Sequence, residues 1–128
     1  MTENDIAKAI FQAELEVHKA LGPGLLEGVY EECLAHELSE MNLRVERQKM
    51  APLVYKTTRI TNAYRMDLVV ENKVVVELKS VEKMNELHVA QLLTYLKLSG
   101  YKLGLLMNFN VPLFKDGVKR LINGNLET

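Results

Sequence analysis

Six residues, Val74-Val75-Val76-Glu77-Leu78-Lys79, constrain the fold more than any other stretch. A strand with one solvated face alternates apolar and polar side chains, but this run is apolar almost throughout. β-branched side chains fit a pleated, buried surface. The run therefore predicts a central strand covered by helices. A helix is expected from near Asn85 to Ser99, stopped by Gly100, and Lys102 to Phe109 reads as a further strand. Strand, helix and strand in that order form a parallel crossover, expected to be right-handed.

The rest of the chain fits around that unit. Ile6, Ile10, Ala13, Val17 and Leu21 recur at helical spacing, which predicts a helix over about 4–21, capped by Asn4 or Asp5. Gly22-Pro23-Gly24 breaks it, and Val29, Cys33 or Leu34, Leu38 and Met41 mark a second helix over about 26–41. Residues 45–49, 53–56 and 64–70 read as strands, interrupted at Pro52 and at 57–62. A short helix is expected over about 114–123. The order is ααβββαβα: an α/β fold with a mixed sheet of four strands, or slightly more, flanked by helices. The 128 residues suit one domain, 1–128, and can bury roughly two-thirds of the unfolded surface. No apolar run reaches the ~18 residues of a membrane span. The single Cys33 excludes an internal disulfide framework, and the N-terminus lacks a signal-peptide pattern. A cytoplasmic location is expected.

The net charge of −1 argues against coating nucleic acid by bulk electrostatics, but the distribution is uneven. Residues 1–43 hold two bases against nine acids; the remainder holds fourteen bases against eight acids. Arg44, Arg47, Lys49, Lys56, Arg59 and Arg65 cluster with Glu46 as their only acid. Such a strip can track a phosphate backbone, or can simply protect a sheet edge from pairing.

The chemistry lies in the central hairpin. If Glu71-Asn72-Lys73 form a three-residue loop, Val70 pairs with Val74 and Asp67 lies opposite Glu77. Glu77 and Lys79 share a face, about 7 Å apart. Two facing carboxylates repel, so a positive group is expected between them: Lys79, Arg65 or a metal ion. Two carboxylates with a main-chain carbonyl form a hard-oxygen site suited to Mg²⁺. An ammonium beside it can orient water and offset charge on a phosphoryl group. The plainer reading is a solvated ion-pair cluster. Glu27 sits near a helix N-terminus, where a carboxylate is favoured. Tyr30 reads as aromatic core as readily as a contact residue. His88, Gln91 and Tyr95 share a helix face that can overhang the carboxylates.

Gly24-x-x-Glu27-x-x-Tyr30 resembles the signature of the GxxExxY proteins, a branch of the PD-(D/E)XK nuclease superfamily. The resemblance spans about residues 5–110. It takes in Gln48, Tyr64-Arg65-Met66-Asp67, Glu77-Leu78-Lys79, His88-x-x-Gln91-x-x-x-Tyr95 and Asn108-Phe109. It implies a four-stranded mixed core flanked by helices, and Asp67 and Glu77 as metal ligands completed by the Leu78 carbonyl and Glu27. Lys79 is then the residue that positions or deprotonates water, with Gln91 supporting the site. Tyr95, Tyr30, Arg65, Arg47 and Lys49 are the expected nucleic-acid contacts. Met66 replaces the proline that names the superfamily, and Asn110 stands where glycine is expected.

The expected function is a nuclease that uses Mg²⁺, with Mn²⁺ as a substitute, to hydrolyse phosphodiester bonds, DNA being the expected substrate. The alternative is a binding or regulatory module that keeps the fold without cutting. A third reading is an assembly protein whose acidic hairpin is a surface cluster. A chain this small is expected to need a second copy or a partner to hold its substrate, and no membrane is expected. His18, His36, His88 and Cys33 are too scattered for zinc; His18 and His36 read as helix-surface residues, and the methionines as core filler.

Overall fold

A computed structural model describes residues 1–126. Helix α1 spans Glu3–Leu21 and α2 spans Glu27–Glu40. Strands β1 (Val45–Tyr55), β2 (Thr58–Val70) and β3 (Val74–Lys79) follow, then α3 (Glu86–Ser99), β4 (Leu103–Asn108), a 3₁₀ turn (Phe114–Gly117) and β5 (Val118–Ile122). The five strands form one sheet in chain order. Only β3 and β4 run parallel, joined by α3; the other neighbours are antiparallel.

Local chemistry explains most boundaries. The cap of α1 is Thr2, not Asn4 or Asp5: its hydroxyl accepts from the Asp5 N–H while Asp5 accepts from the Thr2 N–H. Asn85 caps α3 in a similar reciprocal arrangement with His88, and Gly100 ends the helix in the left-handed conformation. Glu71 and Asn72 both carry positive φ, which closes the three-residue loop and pairs Val70 with Val74.

The sheet separates two cores. One packs α1 and α2 on Leu68, Val70, Val74, Val76, Leu78, Leu103, Leu105 and Met107. The other packs α3 residues Leu92 and Leu96 on Val69, Val75, Leu106 and Leu121. Burial on both faces is why β3 does not alternate.

Four expectations change. Of the helix expected over about 114–123 only the 3₁₀ turn Phe114–Gly117 forms; residues 118–122 are edge strand β5, paired antiparallel with β4, so the sheet has five strands among the described residues. Pro52 and residues 58–62 lie inside strands, and β1 and β2 form one long hairpin turning at Lys56-Thr57. Pro52 is tolerated because β1 is an edge strand and its register shifts there. His18 is half-buried rather than on the surface; its Nε2 lies 2.7 Å from the Val111 carbonyl and its ring packs on Phe114. Of the methionines only Met66 and Met107 are fully in the core, while Met1, Met41 and Met50 are exposed.

Candidate active site

Strands β2 and β3 pair only over Leu68–Val70 and Val74–Val76. Beyond that they separate, and two carboxylates replace the ladder. The Asp67 N–H donates to Glu77 Oε2 at 2.7 Å, and the Leu78 N–H donates to Asp67 Oδ2 at 2.9 Å. The expected register is the observed one, but the two side chains fill the gap instead of facing each other across a regular ladder.

The separation comes from a break in alternation. Leu68 packs on the α1–α2 side, whereas Met66, two residues earlier, packs on the α3 side. The opposite strand breaks at the same level, where Gln48 has φ 51°. Arg47, before the break, pairs with Glu31 of α2 at 2.9 Å. Lys49, after it, bonds the Tyr101 hydroxyl at 3.0 Å on the α3 side. The basic residues expected to form one strip therefore lie on two faces.

Lys79 follows at the C-terminal end of β3. Its carbonyl accepts from the Phe109 N–H at 3.0 Å, towards β4. Alternation turns the Leu78 N–H and carbonyl the other way, towards the gap. Ser80 closes the rim: its hydroxyl donates to the Leu25 carbonyl at 2.5 Å and its N–H to Glu27 Oε1 at 3.3 Å. Asn108 is buried and binds both the N–H and the carbonyl of Val81, fixing the turn between β3 and α3.

Burial, then the charge of Asp67, pushes Glu77 up to about 8. Asp67 is raised too, by burial first and by the charges of Glu31 and Glu27; the Leu78 N–H and Lys79 oppose the shift. A buried acid that holds a proton near neutrality beside a second acid is a natural acceptor for a cation. The donors offered to the gap, two carboxylates and the Leu78 carbonyl, are hard oxygens that fit Mg²⁺.

Glu27 is not gathered into this set. It is the exposed first residue of α2, held against Ser80, and among the described residues no three His, Cys, Asp or Glu side chains are close enough to share an ion. Tyr30 is also displaced from its expected role. It is fully buried, stacked on Phe109 at 4.3 Å, and its hydroxyl donates to the Gly22 carbonyl at 2.6 Å while accepting from the Leu25 N–H. It shapes the loop before α2 and is not available to nucleic acid.

Tyr95 leans over the site from α3, stacked on Tyr64 at 5.0 Å. Burial raises its phenol most, with the charges of Glu77 and Asp67 adding to it. Gln91 lies one turn earlier on α3, exposed, and Arg65 is exposed on β2 opposite Met50. Sequence reasoning missed Glu31, a buried acid that accepts from Arg47 and from Gln48 Nε2. Gln48 Nε2 also stands 3.5 Å from Asp67 Oδ1 and so links α2 to the carboxylate pair. The available signal was the four-residue spacing of Glu27 and Glu31, which places both on one face of α2.

Residues 4–121 match the family model described as the PD-(D/E)XK nuclease superfamily. The chain belongs to the PD-(D/E)XK nuclease superfamily. No match is found among curated proteins or solved structures. Asp67, Glu77 and Lys79 all lie within the matched residues. Among the described residues, no helix is long and apolar enough to cross a membrane.

Proposed function

We propose that this superfamily member is a metal-dependent nuclease that hydrolyses phosphodiester bonds of DNA. The observation that carries the reading is the Asp67–Glu77 pair lodged where β2 and β3 part, with the Leu78 backbone turned into the same gap. Asp67, Glu77 and the Leu78 carbonyl would hold the ion, Mg²⁺ or Mn²⁺. When bound, such an ion supplies Lewis-acid stabilisation of phosphoryl oxygens and makes water nucleophilic at neutral pH.

The chain's own residues do the rest. Lys79 orients the attacking water and offsets charge on the phosphoryl oxygens. Tyr95 and Gln91 present hydrogen-bond groups from α3 to the phosphate backbone. Glu31, through Gln48, holds Asp67 in place. Glu27 acts from beside Ser80 by its charge, which raises both acids and sharpens their need for a cation.

The test is cleavage of linear, branched, single-stranded and supercoiled DNA with Mg²⁺ or Mn²⁺, comparing wild type, Asp67→Ala and a chelator control. Cutting that requires both metal and Asp67 supports the reading. DNA binding that survives chelation, with no cutting of any form, replaces it with a non-catalytic binding module.

A further inference from the structure

The long β1–β2 hairpin is larger than the site requires. From Met66 outward β2 pairs with β1 alone; Ala51, Tyr64 and Met66 at its base still pack on the α3 side, and residues 53–60 beyond them form a free two-stranded ribbon. Its outer part carries exposed apolar side chains: Val54 is 61 % and Tyr55 62 % exposed, with Met50 and Ile60 also uncovered. Large apolar groups at the tip of a thin ribbon have no folding role. Between Met50 and Met66 the chain holds Lys56, Arg59 and Arg65 and no acid at all. Lys56 Nζ lies over the Tyr55 ring, 5.4 Å from its centre, so charge and apolar surface meet at the turn.

We infer that the ribbon is an arm that grips double-stranded nucleic acid about one helical turn from the carboxylate site. The inference rests on the nucleic-acid reading above and adds the duplex to it. Asp67 marks the base of the arm and Thr58 its tip, nine residues earlier on β2. At ~3.3 Å per residue the tip stands roughly 30 Å from the site. A turn of duplex DNA is about 34–36 Å, so a duplex seated at Asp67 and Glu77 returns its groove to the arm. A two-stranded ribbon fits the major groove, where apolar side chains can meet thymine methyl groups while basic ones beside them reach the phosphates. A flexible single strand is held by successive aromatic platforms. Here Tyr55 alone is free on the ribbon, because Tyr64 is occupied by Tyr95. The competing occupant is the acidic α1–α2 layer of a second copy.

The experiment is fluorescence anisotropy in chelator, where nothing is cut. It compares wild type with Lys56→Glu/Arg59→Glu and Val54→Ser/Tyr55→Ser, all exposed positions. The probes are a duplex of about 25 base pairs, one of about 8, and a single strand matching the longer, chosen around the ~10 base pairs of one turn. Wild type should prefer the long duplex. Charge reversal should weaken it roughly tenfold or more and flatten the slope of log K against log salt by about two, while changing the short duplex little. The apolar variant should weaken the long duplex without changing the salt slope. Equal loss on every probe, retained affinity in both variants, or no duplex binding by wild type overturns the inference. So does a concentration-dependent dimer that the variants abolish while duplex affinity stays. Cleavage is scored separately: arm-dependent binding without cutting in Mg²⁺ sinks the nuclease reading alone, and cutting with arm-independent binding sinks the arm alone.

Discussion

Glu77 and Asp67 are joined through each other's backbone neighbourhood: Glu77 accepts from the Asp67 N–H at 2.7 Å, and Asp67 accepts from the Leu78 N–H at 2.9 Å. The carboxylates thus substitute for ladder bonds, which fixes them in the sheet plane with little rotational freedom. Such a pair is preorganised, and its repulsion is built in before a cation arrives.

Burial of Glu77, and then its repulsion with Asp67, has a pH signature. An acid whose folded pKa is raised keeps its proton after the unfolded chain has lost its own. Stability of the metal-free protein should therefore fall as pH rises from about 4.5 towards about 8, the interval set by Glu77. Added Mg²⁺ should remove this part of the slope. Glu77→Gln should remove it too, and raise Tm in chelator at pH 8, where a gain of ~1 kcal/mol is worth about 4 °C. Thermal melts across pH, with and without Mg²⁺, check it; a slope indifferent to both changes defeats the assignment.

Lys79 carries charge to the rim without joining the donors. Lys79→Ala should leave Mg²⁺ affinity, measured by calorimetry, largely intact while cutting the cleavage rate by ~100-fold or more. Full cleavage by the variant would remove Lys79 from the mechanism.

Much of this was legible from residues alone, for identifiable reasons. The β-branched run at 74–76, the Glu71-Asn72-Lys73 loop and Gly100 act locally, so the hairpin register and the α3 crossover follow from short-range chemistry. β5 was not legible: Val118-Lys-Arg-Leu-Ile122 has too few residues to separate helix from strand, and pairing with β4 decides it. The left-handed Gln48 was not legible either. Nothing in its type demands φ 51°; its side chain is held by Glu31 of α2, a contact 17 residues away in sequence. That long-range contact accompanies the break that splits Arg47 from Lys49. Tyr30 left two readings open, and the stack on Phe109 selects the core.

The placement of Tyr30 is itself testable. Tyr30→Phe keeps the stack but strands the Gly22 carbonyl and the Leu25 N–H. It should cost about 1–2 kcal/mol in denaturant unfolding and leave DNA affinity unchanged when measured on folded protein. Weakened DNA binding at full stability would return Tyr30 to the contact surface.

Glu14 separates stability from function elsewhere in the molecule. It lies fully buried on α1, and neither carboxylate oxygen has a hydrogen-bond partner among the described residues. Burial alone raises its pKa well above the ordinary carboxylate range. The sign is that of Glu77: the proton retained in the folded state makes stability fall as pH climbs above the unfolded value near 4.5. Unlike the Glu77 contribution, this one should be indifferent to Mg²⁺. Glu14→Leu should stabilise the protein by about 2 kcal/mol at neutral pH, with a smaller gain at pH 4, because it removes an unsatisfied polar group from an apolar setting. Paired denaturant titrations at the two pH values decide it. A gain of equal size at both would mean that packing, not the buried proton, is what the substitution changes.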